Sequence, residues 1–112
     1  MVRILYVHSG TGFVLQEEGH ADAAPKGEDI VCSAVSILLY TAAQRMLDLY
    51  VDEKLQQWPI VDLRSGNSRV AADARKDCVG TVRQAFETVL TGFRLLAMQY
   101  PQHVMVTESS PG

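Results

Sequence analysis

A single small α+β domain is predicted, with two long helices on one side of a mixed, mainly antiparallel sheet of about five strands. Three observations carry it. Two β-rich segments flank Ser9-Gly10-Thr11-Gly12, the run from Ile30 to Gln44 carries no charge, and Val79 to Ala97 places apolar residues in three- and four-residue steps. Short alternation gives strands and helical spacing gives amphipathic helices, so the order reads β-β-α-β-β-α-β.

Residues 2 to 8 read as a strand, and Phe13 to Glu18 as its hairpin partner across the Gly-rich turn. Ala21 to Glu28, with Pro25 and Gly27, reads as a loop. Asp29 is placed to cap a helix from about Ile30 to Leu49. Its first turns are apolar nearly all round, which predicts burial on more than one side and a partner surface besides the core. Leu55 to Leu63 reads as a strand pushed to an edge by Pro59, and Ser68 to Ala72 as another. Asp73 or Asp77 caps the second helix, in which Gly80 and Gly92 mark close packing. Tyr100-Pro101 stops that helix, and His103 to Thr107 forms the last strand. Residues 1–108 make the domain and 109–112 a frayed tail.

The 112 residues suffice for one core. A net charge of -3 with scattered Lys and Arg argues against a nucleic-acid surface. The uncharged run is short for a bilayer span, so no membrane partner is expected. The N-terminus lacks the features of a signal peptide, and the two cysteines, Cys32 and Cys78, have no secretory context. Both are expected reduced in a cytoplasmic protein. The histidines and cysteines lack zinc-ligand spacing, and Gly10-Thr11-Gly12 lacks the third glycine of a dinucleotide loop, so no metal or cofactor is expected.

The most specific chemistry lies between Gly19 and Ser36. A strand ends on His20, a Gly/Pro loop follows, and a helix opens with Cys32 in its first turn. A thiol titrates near ~8.5, and bringing one near ~7 takes roughly 2 kcal/mol. A helix N-terminus supplies only ~0.3–1 kcal/mol, so a cation is needed, and His20 is the candidate nearby in sequence. Glu28 and Asp29 oppose the thiolate. Asp29 escapes that role as the helix cap, or as the group that orients His20. Ser36, one turn after Cys32, either bonds the thiolate or substrate or bonds back to the Cys32 carbonyl. From periodicity alone Cys32 is equally a small buried packing residue, and Cys78 more so. Trp58 reads as a core or interface anchor.

The residues Gly19-His20-Ala21, Gly27 to Cys32 and Ala34-Val35-Ser36 resemble the ribosomal-processing cysteine protease family (Prp). Tyr100-Pro101 before a terminal strand fits as well. The resemblance implies a cytoplasmic homodimeric endopeptidase that removes the N-terminal extension of a large-subunit ribosomal protein. By position it makes Cys32 the nucleophile and His20 its base, with Gly19, Asp29 and Ser36 in support. Ala21, Asp22, Pro25 and Gly27 would form a substrate-binding loop. Asp22 to Lys26 is smaller and more polar than in relatives, and Asp52 to Asp77 matches only loosely. The rival readings are a non-catalytic ribosome-associated binding module and a thiol-transfer or redox-sensing protein. The second lacks another cysteine near Cys32.

Overall fold

The computed structural model describes residues 1–20 and 27–110, and of residues 27–29 the backbone only. Strands β1 (Val2–Ser9) and β2 (Gly12–Glu18) lead into helix α1 (Gly27–Val51). Strands β3 (Ile60–Asp62) and β4 (Asn67–Asp73), helix α2 (Val79–Gln99) and strand β5 (Val104–Ser109) follow. The sheet order is β3-β4-β2-β1-β5, antiparallel throughout except for the parallel pair of β1 and β5. The predicted element order and mixed sheet are both present.

Alternation decides which sheet face is buried. Val2, Ile4 and Tyr6 on β1 point inward, as do Phe13, Leu15 and Glu17 on β2. The helices cover that face, α1 with Val31, Val35, Leu39, Met46 and Leu49, and α2 with Val82, Phe86, Leu90 and Phe93. Phe86 stacks on Phe13 at 5.5 Å and lies tilted to Tyr6 at 5.8 Å. Each buried Phe or Leu contributes about 1.5–3 kcal/mol, so this seam is the main source of cohesion. At the far edge the Arg94 guanidinium forks onto Glu108 of β5 at 2.8 and 2.7 Å and reaches Glu87 at 3.2 Å. That pairing holds the Glu108 carboxyl below its usual range.

Several local expectations are corrected. The predicted strand Leu55 to Leu63 shrinks to Ile60–Asp62, because the chain turns before Pro59 and Leu55 makes only an isolated bridge to Ala74. Trp58 is no core anchor; it is 62% exposed and meets Tyr50 edge-on at 4.6 Å. Neither Asp73 nor Asp77 caps α2. A 3-10 turn at Lys76–Cys78 precedes it, Asp73 accepts the Thr11 hydroxyl at 2.5 Å, and Asp77 faces the Cys78 thiol at 3.4 Å. His103 lies in the turn before β5. Ser109, expected in the tail, is the last residue of β5, and Pro111 and Gly112 lie outside the described residues.

Helix α1 opens at Gly27, so Gly27 and Glu28 belong to the helix, and Asp29 sits within its first turn, not at the cap. The stretch Ile30–Val51 is long and apolar enough to cross a membrane by length and composition. One side of it is instead the wall of the core. The other side leaves Ile30, Ile37 and Tyr40 about 60% exposed, at 60%, 61% and 57%. Of the two helical glycines, only Gly92 marks close packing. A Cβ there would come within 2.6 Å of Leu38 Cδ2, whereas nothing lies within 4 Å at Gly80. Gly92→Val is expected to cost about 1–3 kcal/mol by overpacking. Gly80→Ala should gain up to ~1 kcal/mol from helix propensity. Urea denaturation of both variants measures the contrast.

Candidate active site

Backbone bonds fix the position of His20. After β2 the chain turns at Gly19, where φ is +87° and a Cβ would run into the Met1 carbonyl. The Gly19 N–H donates to the Gly66 carbonyl at 2.9 Å, and the Met1 ammonium donates to the His20 carbonyl at 2.6 Å. The imidazole lies against Gly66, in the turn between β3 and β4, with its Cε1, Nε2 and Nδ1 atoms around the place of a Cβ. That turn is knotted by Ser68. Its Oγ accepts the Arg64 N–H at 3.1 Å, its hydroxyl donates to the Arg64 carbonyl at 2.8 Å, and the Asn67 N–H closes on the same carbonyl at 3.0 Å.

Cys32 is on the outer face of α1, exposed and not disulfide-bonded. A packing role is therefore not what the side chain does. With Ser33, Ser36, Ile37 and Tyr40 it lines an open groove of about 390 Å³. Ser36 and Tyr40 also line a neighbouring cleft of about 150 Å³, whose opposite wall is Leu63, Arg64, Ser65 and Ser68. The groove of Cys32 thus joins this cleft through Ser36 and Tyr40, and Ser65 on the far wall is the chain neighbour of Gly66, on which the imidazole lies. No hydrogen bond joins the two side chains, and among the described residues the Ser36 hydroxyl makes none either. The expected back-bond from Ser36 to Cys32 is absent, which leaves that hydroxyl facing the groove.

Cys32 is the sixth residue of α1, in its second turn, not its first. Within the helix, the N–H groups without intrahelical partners end at Asp29. Dipole stabilisation fades over the same turn, so the helix opening lies one turn away from the sulfur. Ala21, Asp22 and Pro25 of the expected loop lie outside the described residues, as does the Asp29 side chain with either role proposed for it; Gly27 begins the helix. Cys78 is free and half-buried, and desolvation and the Asp77 carboxylate push its thiol up. Among the described residues no group of three or more His, Cys, Asp or Glu could hold a metal ion.

The family model described as cysteine protease Prp matches residues 1–105. A ribosomal processing cysteine protease Prp from Mycoplasma genitalium is 29% identical over 98 residues, 86% of this chain and 88% of that protein. A solved structure from Streptococcus mutans superposes with a TM-score of 0.71 at 23% identity, covering 99% of this chain and 96% of the other. The essential ribosomal processing protease Prp of Staphylococcus aureus, solved with a substrate peptide, gives 0.67 at 15% identity, covering 96% and 99%. These two structures share the fold.

One residue escapes a motif search although strand alternation marks it. Glu17 has the parity of Phe13 and Leu15, so it points inward and is 7% exposed, opposite Ser68. Burial pushes its carboxyl above the ordinary value of 4.5, against relief from Ser68 and from His20. The Ser68 proton is aimed at the Arg64 carbonyl, so burial outweighs that relief. A raised folded value means the charged form costs stability. That cost is absent below about 4.5, where both states hold the proton, and complete above the folded value. Glu17→Gln is therefore expected to raise the melting temperature at neutral pH, by an amount that shrinks as pH falls toward 4.5. Melts across that range check it; a gain equal at every pH would point to packing.

Proposed function

The chain belongs to the cysteine protease Prp family, and from that premise we propose that it removes the N-terminal extension of a large-subunit ribosomal protein. The observation that carries this reading is the exposed Cys32 thiol in a groove continuous with the cleft beside the His20 seat. In the proposed reaction Cys32 Sγ attacks the scissile carbonyl while His20 takes the thiol proton. The tetrahedral intermediate collapses to a thioester, and His20 returns the proton to the leaving amine. Water, deprotonated by His20, then attacks the thioester, and the thiol is restored as the new carboxylate leaves. No hydrogen bond joins the two side chains in the absence of substrate, and catalytic hydrogen bonds often form only when substrate tightens the site.

Ser36 is the hydroxyl placed to donate to the developing oxyanion or to the thiolate, since the free N–H groups of α1 lie a turn away. Ile37 and Tyr40 give the groove an apolar wall on which an extended peptide can lie. The same reading includes a cytoplasmic homodimer, supported by the apolar outer residues of α1, Ile30 among them. Sedimentation at micromolar concentration that gives only monomer would remove the dimer from it.

Cys32→Ala is expected to abolish cleavage of a synthetic peptide spanning the extension junction, and His20→Ala to slow it roughly 10²–10⁴-fold. Mass spectrometry of the products measures both. Full activity in Cys32→Ala overturns the protease reading, and binding of the peptide without cleavage by the unaltered chain makes it a binding module.

A further inference from the structure

We propose that Gly66 is a positioning residue for His20: the bare backbone at the tip of the β3–β4 turn is the seat that sets where the imidazole faces. This rests on the reading of His20 as the general base. His20 is exposed, so nothing in a core restricts its rotamers. Contact with the turn is what the structure offers in place of burial, and it is made at the one residue type that leaves room for the ring. The ring atoms occupy the space a Cβ would take, and the Gly66 carbonyl holds the Gly19 N–H at 2.9 Å. One residue therefore fixes both the backbone that delivers His20 and the direction of its side chain.

The seat is itself held rigidly. Ser68, buried beneath it, ties the turn through two bonds with Arg64. The adjacent Ser65 lines the cleft that reaches Ser36 and, through it, the groove of Cys32. Any side chain at position 66 has to displace the imidazole or lift the turn away from the end of β2. Either movement changes the approach of the base to the thiol, and a displacement near 1 Å costs on the order of 10²-fold in rate.

A second glycine supplies the control. Gly10 has φ of +60° against +74° for Gly66, yet nothing lies within 4 Å of its absent Cβ. Gly10→Ala and Gly66→Ala thus carry the same left-handed backbone strain, and only the second meets His20. The readouts are steady-state cleavage of the extension-junction peptide and the pH profile of Cys32 alkylation by iodoacetamide. Gly66→Ala is expected to lower kcat about 10–100-fold with KM little changed and to alter the alkylation profile, while Gly10→Ala keeps both. In a His20→Ala background the Gly66→Ala effect should vanish.

Equal losses in the two glycine variants, or none in Gly66→Ala while His20→Ala is inactive, would overturn the positioning role and leave the base assignment standing. Full activity of His20→Ala would overturn the base assignment itself. Should Gly66→Ala fail to fold, Gly66→Asn and Gly66→Asp, side chains that tolerate the left-handed backbone better, take its place with the same expected outcomes.

Discussion

The bond from the Gly19 N–H to the Gly66 carbonyl adds one rung beyond the register of the β2–β4 ladder. The register of that ladder ends with Glu18 opposite Asn67, and the extra rung carries the chain onward to His20 in contact with the neighbouring turn. Together with the bond from the Met1 ammonium to the His20 carbonyl, it holds the chain beside the sheet past Glu18. Sheet register, set by alternating apolar residues on β2 and β4, is thereby transmitted to a single ring. The place of the imidazole depends on pairing in a way that neither strand reveals alone.

Helix α1 does two jobs on two faces. Its inner residues, Val31, Val35, Leu39 and Met46, join the core with α2, while Cys32, Ser33, Ser36 and Tyr40 look outward. An offset of one residue separates the two sets and steps of four keep each on its own face, so the thiol is held by the same geometry that packs the domain. A sulfur on so rigid an element has little freedom of its own.

Much of this was legible in the sequence because the signals are local and periodic. The hairpin, the helix spacings, the stop at Tyr100-Pro101 and the order of elements all follow from alternation, three- and four-residue steps and turn chemistry. The His20 and Cys32 motif stands out for the same reason. What escaped depends on contacts across the fold. The inner or outer direction of Cys32 in an apolar helix could not be read where nearly every position is apolar. The space beside Gly66 is filled by the His20 ring, far away in sequence, and Leu55 to Leu63 has the composition of a strand but loses its pairing partner before Pro59. Asp73 and Asp77 have the chemistry of helix caps, yet a turn of 3-10 helix and the Thr11 hydroxyl claim the places where capping would occur. Glu17 was visible by parity, but parity says nothing of what a buried carboxylate will meet.

The double use of α1 also bears on how the molecule fails. A nucleophile carried by a flexible loop can be lost by local melting long before the body of a protein gives way. Here the sulfur sits on the second turn of a 25-residue helix whose other face closes the interior. Heat or denaturant then removes the platform of the thiol and the packing of the domain in one cooperative transition.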